Sequence, residues 1–229
     1  VFGGYPWLVS EAEGEKFPWI RSIHEREGLL NETWKRRLDL SGFLEDAYEQ
    51  ALNDMPNFGG SEQEIKRQQL FYLNNMYFMQ TLLERKDRMS MATGLEVRVP
   101  FADHTIIEYA WNIPREMQRI GDVEKGILRK AFAHELPEEI TWRKKNPFPK
   151  TYHPAYTERV KTLLKELLQN NDSILHELFD EKKIQHLIDS GGASFKVPWF
   201  GQLMAGPQLL AYLIQFHYWF EKYRLNILI

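Results

Sequence analysis

The feature that most constrains this chain is the scarcity of strand-like alternation. No run of alternating β-branched residues is longer than Glu96-Val97-Arg98-Val99. Elsewhere apolar residues recur at three- and four-residue spacing, the period of helices with one face in a core. The clearest case begins at Ser61. Ser61 and Glu64 have capping-box spacing, and Leu70, Leu73, Tyr77 and Leu83 continue a helical face to about Thr93, where Gly94 stops it. A helix that long must be packed along much of its length to be stable. Phe43, Leu44, Ala47, Tyr48 and Leu52 give a further helix over residues 41–55, ended by Pro56. Residues 18–31 read as short helices and loop. Asp103 opens a helix to Trp111, and Asp122 caps one through Phe132. Residues 154–169, 173–179, 181–190, 199–204 and 207–223 read as helical. Residues 141–154 are basic, proline-bearing and aperiodic, hence a loop. Nothing repeats at a fixed period and no linker divides the chain, so the expectation is a single mainly α unit over residues 1–229.

Composition narrows the function. A 14% share of aromatic residues points to a bulky, packed interior. The formal charge of −3 gives no electrostatic reason to bind nucleic acid or an anionic membrane. No cysteine is present, which excludes disulfide frameworks and thiolate metal sites and permits a cytoplasmic location. The most apolar stretch, Leu209 to Phe220, is about half the ~20 residues of a membrane span and is broken by Gln215 and His217, so it reads as a buried helix. The histidines never fall at metal-ligand spacing with a carboxylate, so no metal site is expected. The chain opens on Val1 and runs at once into Gly3-Gly4, which reads as the tail of an element and hence as a truncated start.

Three stretches hold candidate chemistry. Asp87 and Arg88 precede Gly94, and Glu96 and Arg98 follow it in a short extended segment. Two residues apart, Glu96 and Arg98 share one face there. They suit an ion-paired clamp on the turn, with Asp103 capping the next helix, as well as a charged cluster lining a cleft. Arg143-Lys144-Lys145-Asn146-Pro147-Phe148-Pro149-Lys150 is a basic loop that presents an ammonium to a phosphate, or else an ordinary solvated charge run. Gly3-Gly4-Tyr5 makes a plain turn or a close backbone approach to a ligand.

In this order the stretches resemble the C-terminal synthetase domain of glutamine-hydrolysing asparagine synthetases. Phe2-Gly3-Gly4-Tyr5-Pro6-Trp7 is similar to the tail of that family's acidic glycine motif. Asp87-Arg88-Met89-Ser90-Met91 with Leu95-Glu96-Val97-Arg98-Val99-Pro100-Phe101 and Asp103 is the most specific match. Glu124-Lys125-Gly126-Ile127-Leu128-Arg129-Lys130, Trp142-Arg143-Lys144-Lys145 and Pro198-Trp199-Phe200-Gly201-Gln202 follow. Ala102 departs from the usual leucine.

The resemblance implies the helical C-terminal portion of an α/β adenine-nucleotide α-hydrolase-like domain, with the sheet-bearing half and its pyrophosphate loop missing. It implies ATP with Mg²⁺, and aspartate activated as a β-aspartyl-adenylate. Ammonia comes from glutamine in the enzyme's own N-terminal glutaminase domain, and a homodimer is compatible. Lys145 takes the catalytic-lysine position. Glu96 takes a carboxylate position near the acyl-adenylate. Arg98, Asp87, Arg88, Tyr5, Gly3 and Gly4 surround the substrate. A related ligase acting on another carboxylate or closing a β-lactam, and a non-catalytic helical interaction module, are the competing readings. The isolated chain is expected to be inactive and prone to self-associate.

Overall fold

Ser61 and Glu64 do form a capping box. The Glu64 amide donates to Ser61 Oγ at 3.4 Å, and the Ser61 amide donates to Glu64 Oε2 at 2.7 Å. These bonds to Ser61 hold the Glu64 carboxyl below the usual glutamate range. They belong to a computed structural model that describes residues 16–20, 23–57, 59–118, 120, 123–144, 146, 153–198 and 204–227. Among these the molecule is mainly helical, and Leu30 and Phe179 form an isolated antiparallel bridge.

Contacts divide the chain into two compact units. One comprises Val1–Gly14 and Gln50–Pro147, the other Glu15–Glu49 and Phe148–Ile229.

In the first unit the long helix is three segments in direct succession. Glu62–Leu73 is α, Asn74–Met79 is π, and Gln80–Met91 is α again. The π segment buries Asn74, Asn75 and Phe78. Phe71 meets Trp111 edge-on at 5.0 Å, bringing the helix His104–Trp111 alongside. Gln118, on the short helix Arg115–Gln118, donates to the carbonyls of Ala110 and Ile113 at 2.7 and 3.2 Å and so closes the turn at Pro114. Gly126 starts the helix Gly126–Ala131, and a Cβ there would come within 2.5 Å of the Ile120 backbone. Only glycine permits that approach.

In the second unit Pro154–Gln169 packs along Pro207–Tyr223. Leu164, Leu175, Ile184, Leu187, Ile188, Leu210 and Leu213 are buried between these helices and the shorter Ile174–Leu178 and Glu181–Asp189. Asn31 fastens the earlier segment to this core. Its amide donates to the Leu178 carbonyl at 3.0 Å and its Nδ2 to the Glu177 carbonyl at 2.6 Å. Its Oδ1 meanwhile caps Glu32–Leu38. At the far end of the unit, Gly192 sits at φ +83°, where a Cβ would lie 2.2 Å from the Gly206 carbonyl oxygen.

Several expectations need correction. The stretch Leu209 to Phe220 is not buried all round. Leu209, Leu210, Leu213, Ile214 and His217 face inward, whereas Tyr212, Tyr218 and Trp219 are exposed. Aromatic residues on both faces concealed this amphipathicity. Phe43, assigned to a packed face, is 72% exposed on the helix Leu40–Asn53. The helices Glu32–Leu38, Arg115–Gln118 and Glu138–Thr141 escaped the periodicity reading because they are too short to show a period, although Asn31 and Pro114 signal two of the starts. Asp122 and residues 199–203 lie outside the described residues. No helix among the described residues is long and apolar enough to cross a membrane.

Candidate functional site

The helix Gln80–Met91 delivers Asp87 and Arg88 to its C-terminal turn. It stops because Gly94 adopts φ +73°. The Leu95 amide then donates to the Ser90 carbonyl and the Gly94 amide to the Met91 carbonyl, both at 3.0 Å. This 6→1 and 5→2 pair is a Schellman termination, which turns the chain sharply off the helix axis. Ser90 is buried, its Oγ donates to the Asp87 carbonyl at 3.1 Å, and its own carbonyl also accepts Thr93 Oγ1 at 2.8 Å.

The segment that leaves this turn carries Glu96 and Arg98, joined at 2.8 Å with side chains 64% and 82% exposed. The two-residue spacing in extended backbone therefore does bring both charges to one face. Arg88 is paired elsewhere, with Glu84 one turn back on its own helix at 3.3 Å. Val99 leads into a 3₁₀ turn at Pro100–Ala102, and Asp103 caps His104–Trp111 by accepting the Thr105 amide at 2.9 Å. The Thr105 hydroxyl and amide hold the Asp103 carboxyl below the usual aspartate range. The clamp-and-cap arrangement is thus present in full around Glu96 and Arg98.

A second constellation was missed. Arg129 Nε donates to the Glu124 carbonyl at 2.7 Å, and Arg129 Nη1 donates to the Thr141 carbonyl. Thr141 is buried and ends the short helix Glu138–Thr141; its hydroxyl donates to the Pro137 carbonyl at 3.1 Å. Trp142, Arg143 and Lys144 then run exposed toward position 145. The available signal was an arginine in the last turn of a helix, beside a motif that carried no assigned role.

Lys145, Gly3, Gly4 and Tyr5 lie outside the described residues. Of the site residues expected from sequence, the structure therefore brings Glu96 and Arg98 together and leaves Arg88 on a separate pair.

The second unit holds a cavity of about 660 Å³ lined by Ser173, His176, His217, Phe220, Glu221 and Arg224, among others. Its polar wall is a chain of contacts from Ser173 Oγ to His217 Nδ1 at 3.0 Å and from His217 Nε2 to Glu221 at 3.4 Å. Ser173 also caps Ile174–Leu178, so these contacts serve the packing of that short helix on Pro207–Tyr223.

Comparison with known proteins relates the chain to a family. The family model described as asparagine synthase matches residues 1–221. The chain is 52% identical over 228 residues to asparagine synthetase (glutamine-hydrolyzing) 3 of Bacillus subtilis strain 168, covering 99% of this chain and 37% of that protein. It is 41% identical over 91 residues to the glutamine-hydrolyzing asparagine synthetase of Rattus norvegicus, covering 38% of this chain and 15% of the rat protein. A probable asparagine synthetase of Acanthamoeba polyphaga mimivirus is 29% identical over 128 residues, covering 55% and 22%. The chain belongs to the asparagine synthase family. It spans little more than a third of the length of the Bacillus relative.

Proposed function

We propose that residues 1–229 form the helical C-terminal portion of a glutamine-dependent asparagine synthetase, whose adenine-nucleotide α-hydrolase-like sheet and pyrophosphate loop lie in other sequence. The observation that carries this reading is the family match over residues 1–221 together with 52% identity to the Bacillus enzyme. In the proposed reaction an aspartate β-carboxylate oxygen attacks the α-phosphorus of ATP. The bond to the bridging oxygen breaks, releasing pyrophosphate and leaving β-aspartyl-adenylate. Ammonia attacks the acyl carbon, the bond to AMP breaks, and the nitrogen loses a proton to give asparagine. In this reading the glutaminase and its nucleophile belong to the enzyme's N-terminal domain. We place the enzyme in the cytoplasm and leave its assembly open to a homodimer.

Charge builds around the α-phosphorus and is best met by a fixed cation. Lys145 is assigned that role on its place in the Trp142-Arg143-Lys144-Lys145 motif. Glu96, held by Arg98 at 2.8 Å, is assigned to positioning or proton handling beside the acyl-adenylate. Asp87, Arg88, Tyr5, Gly3 and Gly4 are assigned to the surrounding wall. Among the described residues no group of three or more histidine, aspartate or glutamate side chains is placed to hold a metal ion.

Lys145→Ala in the intact enzyme tests the reading. Aspartate-dependent pyrophosphate release should fall by about 100-fold or more while glutaminase activity persists. Unchanged release removes Lys145 from the mechanism. An intact enzyme that amidates a different acid and not aspartate refutes the substrate.

A further inference from the structure

We propose that Arg129 is a positioning residue for the lysine-bearing segment, an inference that rests on the role given above to Lys145. The guanidinium joins two parts of the first unit that are distant in sequence. Nε holds the Glu124 carbonyl, just before the arginine's own helix, and Nη1 holds the Thr141 carbonyl. The last carbonyls of a helix have no amide ahead of them and need an outside donor. At Thr141 that donor is Arg129. A cation is also favoured there by the helix dipole.

Both ends of this tie are themselves fixed. Thr141 is 4% exposed and its hydroxyl is bonded to Pro137. On the other side, Gly126 is buried with no room for a Cβ against Ile120, so the helix Gly126–Ala131 packs directly on that backbone. Arg129 is half-buried between them. Thr141 is the last buried residue before Trp142, Arg143 and Lys144, whose side chains are exposed. Only these three residues separate it from Lys145 in the sequence, so in this proposal the tie at Thr141 sets where the lysine-bearing segment starts. A planar fork serves two carbonyls in fixed directions; a lysine ammonium in its place keeps the charge and loses that geometry. The bond to Thr141 gives the Glu124–Lys130 motif a purpose beyond forming a helix.

The experiment uses the intact synthetase with Arg129→Gln, Arg129→Lys and, separately, Lys145→Ala. Aspartate-dependent pyrophosphate release, KM for ATP and aspartate, glutaminase rate and Tm are measured on each. For Arg129→Gln we expect kcat of pyrophosphate release to fall about 10- to 100-fold, the scale of a small misplacement of a reacting group. KM should stay within about twofold, with glutaminase unchanged. Arg129→Lys should recover part of the loss, and if the glutamine variant does not fold, the lysine variant alone decides. A folded Arg129→Lys enzyme with wild-type kcat overturns the proposal. So does a parallel fall of kcat, glutaminase rate and Tm in the Arg129 variants, which marks a residue that only holds the fold. Full activity in Lys145→Ala removes the parent reading and this one with it. An inactive Lys145→Ala beside a normal Arg129→Gln removes the positioning role alone.

Discussion

Ser173 Oγ lies 3.0 Å from Nδ1 of His217, a residue 44 positions later in the chain and only 2% exposed. The serine oxygen also accepts the Leu175 amide at 3.4 Å. His217 Nε2 lies 3.4 Å from the Glu221 carboxylate. These contacts make a short relay from Ser173 through the ring to Glu221. Ser173→Ala removes a helix cap and strands a buried ring nitrogen. The expected destabilisation is roughly 2–3 kcal/mol, about 1 from the cap and the rest from the nitrogen. Urea unfolding of the purified variant measures it. A loss under about 0.5 kcal/mol would show that the relay contributes nothing, as for an ordinary surface substitution.

Asp103 offers a pH test. Its carboxyl is held below the ordinary aspartate range by Thr105, so the folded pKa lies under the unfolded one. A depressed carboxylate contributes stability that is fully present above the unfolded value, about 3.9, and is lost as pH falls through the folded value. Asp103→Ala should therefore lower Tm at pH 7, and the gap to the wild type should shrink as pH drops below about 4. A gap that stays constant down to strong acid would show that the charge on the cap is irrelevant to the helix His104–Trp111.

The first unit presents Met89, Leu95 and Phe101 at 69%, 60% and 59% exposure, with Met91 and Val99 also open. Apolar groups gathered around one turn form a surface prone to association. Residues 1–229 expressed alone should scatter light as oligomers at micromolar concentration. They should also make no asparagine from ATP, Mg²⁺, aspartate and ammonia. Leu95→Lys with Phe101→Lys should restore a monomer. A monodisperse wild-type chain would count against the association, and asparagine formation by the lone chain would sink the reading that the catalytic parts lie elsewhere.

Much of this architecture is legible where a local rule governs it. The capping box at Ser61, the stop at Gly94, the cap at Asp103 and the bounds of Pro154–Gln169 and Pro207–Tyr223 all rest on short-range chemistry that a sequence displays. The pairing of Glu96 with Arg98 was legible for the same reason, since neighbours two apart in extended backbone share a face. What stayed hidden depends on partners distant in the chain. Nothing near Asn31 announces its bonds to Glu177 and Leu178, and nothing near Arg129 announces Thr141. Phe43 carries a large apolar side chain at helical spacing and still lies exposed. Periodicity says which residues share a face, not what meets it.

The π segment Asn74–Met79 has a consequence for the motif downstream. A wider turn takes up roughly one residue more than an α turn, so it acts as an insertion inside an otherwise regular rod. Each residue of an α-helix turns the next by about 100°. The half of the rod that ends in Asp87 and Arg88 is therefore clocked by about that angle from where an unbroken helix would set it. Removing one residue within Asn74–Met79 should heal the helix and leave Asp87, Arg88 and the Gly94 turn at their present azimuth, whereas tightening the full-length segment to plain α would swing them by about 100°. The azimuth of the motif is stored a dozen residues before it, in a segment that carries none of its chemistry.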